Sequence, residues 1–208
     1  AGSPSFAVWS QPPAERAAEG QLQIQRRSLL GGLGLAATVP AAPALAYETY
    51  KDVNNRISFT YPTGLQKSDS KVYNYFIRDL IEPLEGVGVK VTETKRKSLD
   101  EIGSPEEVAK RLMADSIPEG APQELISAKS KFDKSGRRLD IIEYRYQWKF
   151  APEMAQQVGR LRFQLHNIAL LTVDRRKQYL VLASCEEDRW ERRGDQLGLA
   201  VDTFKFLD

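Results

Sequence analysis

The 208 residues include 30 Lys or Arg and 28 Asp or Glu, so a densely charged chain sits near balance at a formal +2. That balance excludes a strongly basic nucleic-acid binder, and 41% hydrophobic residues exclude the disordered and multi-span membrane classes. A single Cys (Cys185) and a single His (His166) exclude an intramolecular disulfide, a multi-thiolate zinc site and HExxH chemistry.

Residues 1–25 are rich in Pro, Gly, Ala, Ser and Gln and read as disordered. Arg26-Arg27 then opens a mildly apolar run with no charge before Glu48, closing on Ala44-Leu45-Ala46. A basic pair, a short apolar stretch and a small-x-small site make a cleavable signal, and Pro40 and Pro43 break the run too early for a spanning helix. Paired arginines point to twin-arginine export. The stretch before them gives the whole the look of the second half of a bipartite chloroplast transit peptide addressed to the thylakoid lumen, in a chain trimmed before Ala1. Cleavage after Ala46 leaves residues 47–208 as one domain, large enough to bury a core without staples.

In that domain, Tyr50–Val53 and Ile57–Tyr61 flank Asn54-Asn55 as a hairpin. Strands are expected at Val72–Leu80 and at Val87–Glu93, where Val87, Val89 and Val91 alternate with smaller or polar residues. Ser104-Pro105-Glu106-Glu107 is a capping box with proline at the first helical position, so a helix runs from Pro105 to Ile117 with Val108, Leu112 and Met113 inward. Leu125–Phe132 and Leu139–Trp148 form a second hairpin around Asp133–Gly136, and the pattern over Met154–Val158 favours no one element. Leu161–Val173 reads as a central strand paired with Tyr179–Ala183, and Trp190–Val201 as a closing helix burying Leu197, Ala200, Val201 and Phe204. The order implies an α+β fold, a mainly antiparallel sheet covered by helices.

Few residues carry chemistry. Gly86-Val87-Gly88 lacks the third glycine of a phosphate loop and reads as the entry to a strand. Glu186-Glu187-Asp188 complements the start of the last helix and offers oxygens to a hard cation. Arg193-Gly194-Asp195 is a chance tripeptide, and Cys185 an inert strand-end thiol. His166 lies mid-strand, where a carboxylate from the Glu186–Asp188 turn can pair with it after the hairpin folds back. Such a pair holds the turn or, with His166, Glu187 and Asp188 as ligands, contributes to a metal site. Tyr73, Tyr75, Phe76 and Arg78, and Tyr144, Tyr146, Trp148 and Lys149, mix aromatics with cations as interfaces do, or face a helix layer. Lys95-Arg96-Lys97, Arg137-Arg138, Arg175-Arg176-Lys177 and Arg192-Arg193 are solvated turns or, gathered on one face, a docking surface for an acidic partner.

Phe59-x-Tyr61-Pro62, the run Ser98–Glu107, Ile141–Tyr146, and Lys177-Gln178-Tyr179 followed by Asp188-Arg189-Trp190 and ending near Phe204 resemble, in that order, the PsbP family of extrinsic oxygen-evolving-complex proteins. The resemblance spans roughly Arg56 to Phe206. It implies an α-β-α sandwich of PsbP or Mog-like type, peripheral attachment on the lumenal side of the thylakoid membrane and no catalysis by the domain. It places a histidine at His166 with its acid near Glu187 or Asp188. It also brings an expectation of calcium and chloride retention at photosystem II, with no cofactor tightly bound by the domain itself. Two departures stand out: Leu65 occupies the place of the family's Trp, and the segment between Ala46 and Arg56 is shorter than the family's N-terminal extension.

The expected function is a non-catalytic extrinsic lumenal protein that binds photosystem II subunits, supporting assembly, stability or calcium and chloride retention, and no nucleic acid. Lys95, Arg96, Lys97, Arg175, Arg176 and Lys177 are its candidate docking residues. The alternatives are an assembly factor for photosystem I intermediates, a lumenal enzyme with a cofactor-independent pocket, and a GTPase-binding module.

Overall fold

The structure, a computed structural model, describes residues 46–207 apart from residue 160. The signal-like segment with Arg26, Arg27 and Ala44 lies outside the described residues. In chain order the elements are β1 (Tyr47–Asp52), β2 (Ile57–Pro62), β3 (Gln66–Lys67), β4 (Tyr75–Arg78), β5 (Gly86–Glu93), a 3-10 turn (Leu99–Glu101), α1 (Pro105–Ser116), β6 (Gln123–Phe132), β7 (Arg138–Lys149), α2 (Pro152–Val158), β8 (Arg162–Asp174), β9 (Lys177–Glu186), α3 (Glu187–Asp202) and β10 (Lys205–Phe206). Seven strands pair in the order β3-β4-β5-β9-β8-β7-β6, and a smaller sheet runs β1-β2-β10. Every pairing is antiparallel.

The long central strands are buried on both faces, which is why their sequences run apolar almost without interruption. On β9, Tyr179, Val181, Ala183 and Cys185 join one core with Leu197, Ala200 and Val201 of α3 and Ile57 and Phe59 of β2. On β8, Phe163, Leu165, Ala169, Leu171 and Val173 face the other way, into a core with Val108, Leu112 and Met113 of α1 and Ile142, Tyr144 and Tyr146 of β7. One large sheet thus separates two cores, with α1 over one face and α3 with the small sheet over the other.

The capping box forms as expected: the Ser104 amide donates to Glu107 Oε2 at 2.7 Å, and the Glu107 amide to Ser104 Oγ at 3.4 Å. Two free amides at the helix start are thereby satisfied reciprocally. In the β1–β2 turn, Asp52 accepts from the Asn55 amide at 2.9 Å and from Asn55 Nδ2 at 2.8 Å.

Two expectations change and two open readings are resolved. The strand over Val72–Leu80 shrinks to Tyr75–Arg78, because Ser70 Oγ accepts from the Val72 and Tyr73 amides at 3.1 Å and turns the chain first. Tyr73 then lies flat on Gly88, whose missing Cβ would stand 2.7 Å from the ring. The aromatics weighed as interface residues are largely core: Phe76, Tyr144 and Tyr146 are buried. The undecided stretch is α2, opened by Pro152 and stopped by Gly159 in the left-handed region at φ +70°. The closing helix begins at Glu187, three residues before Trp190.

Leu197 is fully buried between α3 and the sheet, so Leu197→Ala should cost about 2–5 kcal/mol. The expected signature is a lower urea midpoint with an unchanged slope.

Candidate functional site

His166 sits at the centre of a clamp between sheet and helix. Cross-strand register sets it opposite Arg145 on β7 and Cys185 on β9. Its side chain shares the α3 side of the sheet with Ile168 and Leu170. Nδ1 lies 2.7 Å from Glu187 Oε2 and Nε2 lies 2.9 Å from Glu143 Oε1. The indole of Trp190 stacks on the imidazole, centroids 3.7 Å apart and planes 6° from parallel. Arg145 donates to Glu187 at 2.9 Å and to Glu124 at 2.8 Å, extending the network to the sheet edge. Ionised carboxylates only accept, so a charged imidazole satisfies both partners and a neutral ring only one. The pairing of His166 with a carboxylate of the Glu186–Asp188 turn was legible from the sequence, and Glu187 is the one that meets it, whereas Glu143 arrives from β7 by register alone. Asp188 is exposed on the helix. With both ring nitrogens facing carboxylates the ring offers a metal no open lone pair, and among the described residues no group of three or more His, Cys, Asp or Glu side chains is placed to hold an ion.

A second polar cluster escaped the sequence reading. Glu85, fully buried at the end of the β4–β5 loop, accepts from Arg189 at 2.9 Å and from Arg193 Nε at 2.6 Å. Arg189 also donates to Glu82 at 3.0 Å. Arg193-Gly194-Asp195 therefore lies within a helix, with Gly194 buried and making room for Trp190, whose ring a Cβ there would meet at 2.9 Å. Gly86 and Gly88 belong to β5, where side chains would strike the Ile77 carbonyl and Tyr73. Burial, then the nearby Glu85 carboxylate, push the Cys185 thiol up to about 12. The phenols of Tyr144 and Tyr146 are likewise raised by burial, as core packing dictates.

The candidate docking residues, dispersed in sequence, converge at one end of the large sheet. Glu93 is paired with Lys177, and the Thr94 amide donates to the Arg176 carbonyl at 2.8 Å. Lys95-Arg96-Lys97 thus leaves β5 beside the β8–β9 turn that carries Arg175 and Arg176. Lys177 Nζ donates to Asn55 Oδ1 at 3.1 Å, bringing the β1–β2 turn and Arg56 to the same end. Arg137 bridges Asp133 at 2.7 Å and Asp174 at 3.0 Å, which joins the β6–β7 turn and Lys134 to the group. Elsewhere, Arg138 pairs with Asp140 and Asp100 and Arg193 with Glu85, while Arg192 is exposed on α3.

The backbone of this end is unusual. Among the described residues the only non-glycine positions with positive φ are Arg56 (56°), Arg175 (50°) and Arg176 (63°). Asp174 and Lys177 are register partners, so Arg175-Arg176 is a two-residue hairpin loop of the kind that favours Asn-Gly. Arginines there strain the backbone by about 1 kcal/mol each.

Replacing His166 with Leu strands two carboxylates that keep 27% and 29% of their surface in water. The expected loss is about 1–2 kcal/mol after that screening, and His166→Gln should recover part of it in urea unfolding. Cys185 should be inert to a disulfide reagent at pH 8 in the folded chain, since its raised pKa and burial both withhold thiolate, and should react once the chain is unfolded.

A family model described as PsbP matches residues 46–206. CyanoP of Thermosynechococcus vestitus is 32% identical over 159 residues, 76% of this chain and 84% of that protein. PsbP-like protein 1, chloroplastic, of Arabidopsis thaliana is 29% identical over 155 residues, 74% of this chain and 62% of that one. The solution structure of CyanoP from Synechocystis sp. PCC 6803 superposes with a TM-score of 0.60 at 25% identity, covering 85% of this chain and 98% of the other. The large antiparallel sheet flanked by helices and the match over the whole described domain agree: the chain belongs to the PsbP family.

Proposed function

We propose that this chain is a non-catalytic extrinsic protein of the thylakoid lumen that docks on photosystem II through the basic end of its sheet. The observation that carries the reading is the convergence of Lys95, Arg96, Lys97, Arg175, Arg176 and Lys177 on neighbouring turns. Both faces of the sheet are occupied by helices or the small sheet, so a partner meets turns, edge strands or outer helix faces, and the cations gather on the turns. A cation-rich patch in which Asp133 and Asp174 are already bridged by Arg137 steers an acidic surface into register and makes attachment salt-sensitive. The strained arginine turn supports the same reading, because Asn-Gly would fold more easily there and supply no charge. Similarity to CyanoP and PsbP-like protein 1 supports the choice of photosystem II.

His166 and Glu187 serve in this reading as a clamp on α3. Any calcium retained would be held by the partner's own ligands, which the complex shields. A second reading, attachment to another photosynthetic membrane complex, draws on a relative named photosynthetic NDH subunit of lumenal location 1, from Arabidopsis thaliana and 24% identical over 194 residues. An assembly role at photosystem I belongs with this second reading.

Two experiments test the proposal. The chain should co-migrate with solubilised photosystem II at low salt and be released by about 1 M NaCl, where the Debye length is only about 3 Å; migration with another complex, or with none, would overturn it. The double replacement Arg175→Asn, Arg176→Gly should raise stability by about 1–2 kcal/mol while weakening binding. A more stable variant that binds as well as the parent would remove the turn from the docking site.

A further inference from the structure

The most exposed large hydrophobic side chains among the described residues are Ile81 (87%), Val53 (79%), Phe132 (67%) and Leu80 (63%). Leu80 and Ile81 stand on the β4–β5 loop, where Asp79 Oδ1 accepts from the Ile81 amide at 2.7 Å and from the Glu82 amide at 3.0 Å. Gly86 opens β5 beside that loop and Glu93 closes it beside Lys177, so the loop marks the end of the sheet opposite the cations. Val53 and Phe132 belong to the cationic end itself.

Each of these two sits on a turn that its neighbours fix. Val53 lies in the β1–β2 turn, which Asn55 closes on Asp52 and Lys177 ties to the start of β9. Phe132 ends β6, paired with Arg138, and the next residue, Asp133, shares Arg137 with Asp174 at the end of β8. Arg137 also lies over the Phe206 ring, 3.9 Å from its centroid, and the Leu207 amide donates to the Arg56 carbonyl at 2.7 Å. The β8–β9 turn with Arg175 and Arg176 is thus bonded to both of the turns that carry an exposed apolar side chain.

We propose that this end of the chain rests on an anionic bilayer, with Val53 and Phe132 in the headgroup layer and the cations over the lipid charges. The connections that build the end, residues 52–56, 93–101, 132–138 and 174–177, hold ten Lys or Arg against six Asp or Glu. Five of the six acids are already engaged: Asp133 and Asp174 by Arg137, Asp100 by Arg138, Asp52 by Asn55 and Glu101 by the Lys97 amide. Lys95, Lys97, Lys134 and Arg176 are exposed and form no ion pair among the described residues.

The placement of the apolar residues separates a bilayer from an acidic protein. A protein interface gathers its apolar anchors at the centre and leaves charge to the rim. Here the order is reversed: Arg175 and Arg176 join the central strands β8 and β9, whereas Phe132 ends the edge strand β6 and Val53 tips the small sheet. Apolar side chains set apart around a cationic middle suit a fluid surface that admits each one separately and offers diffuse negative charge. A small apolar anchor alone holds a membrane only reversibly, and a basic patch supplies the second signal. The inference deepens the function proposed above, whose membrane-embedded partner is bordered by lipid, and rests on it for the choice of membrane.

The test uses the full chain with an environment-sensitive nitrobenzoxadiazole label on Val53→Cys, Phe132→Cys or Lys110→Cys, Cys185 being buried and so unlabelled in the folded chain. Vesicles of phosphatidylcholine with phosphatidylglycerol should brighten and blue-shift the label at positions 53 and 132 and leave it unchanged at 110 on α1. Vesicles of phosphatidylcholine alone should change none of the three. In flotation, Val53→Ser with Phe132→Ser should lower partitioning roughly tenfold, and replacing one of Lys95, Arg175 or Arg176 with Ser should lower it roughly fivefold at low salt. A response at 110, equal binding to neutral vesicles, or partitioning undiminished in the double serine variant would each overturn the bilayer contact. Absent vesicle binding with photosystem II binding weakened by the same two serines would assign both side chains to a protein and overturn it too. Vesicle binding without co-migration with photosystem II would keep the bilayer contact and contradict the function proposed above. Salt-sensitive co-migration without vesicle binding would remove the bilayer contact alone.

Discussion

Burial of the large sheet on both faces is the constraint on which the rest of the structure depends. Because β8 and β9 send alternate side chains into two separate cores, each face must be covered. The chain supplies α1 on one side and α3 with the small sheet on the other. The ends of the strands are where turns and loops carry the polar and unusual residues. In this fold the two ends differ: one gathers arginine and lysine on neighbouring turns, the other displays two aliphatic side chains on a pinned loop.

The closing helix shows how that division is maintained. Its buried apolar residues are concentrated in the second half, at Leu197, Ala200 and Val201, so burial alone fixes only that half. The first half is fixed by directional contacts: Glu187 to His166 and Arg145, Trp190 on the imidazole, and Arg189 and Arg193 to the Glu85 loop. The same contacts that seat α3 also set the position of the β4–β5 loop, which couples the core to one of the two exposed ends. Gly194 is costly inside a helix but gives the indole of Trp190 its place.

Much of the fold was legible because its signals are local. The capping box at Ser104, the alternation at Val87–Val91 and the stripe at Leu197–Phe204 each follow from residues close in sequence. Tyr75–Arg78 was read too long because Ser70 turns the chain through side-chain hydrogen bonds that leave no periodic trace. The site was legible only in part. His166 and Glu187 meet once the β8–β9 hairpin folds back to the start of α3, whereas Glu143 reaches the ring only through the β7–β8 register and Glu85 meets Arg189 and Arg193 through packing of segments more than 100 residues apart. The convergence of Lys95–Lys97 with Arg175–Lys177 depends on β5 pairing with β9, a pairing that no local pattern specifies. The aromatic run at Tyr144–Trp148 looked equally like interface or core until the position of α1 was known.

The central claim is that a partner meets the ends of the sheet and leaves its covered faces alone. Lysine acetylation footprinting of the chain, free and bound to photosystem II, tests this most directly. The account predicts protection of Lys95, Lys97 and Lys134 on binding, with unchanged labelling of Lys110, exposed on α1. Protection of Lys110 with Lys95, Lys97 and Lys134 still labelled would contradict it and move the docking surface to the helical face.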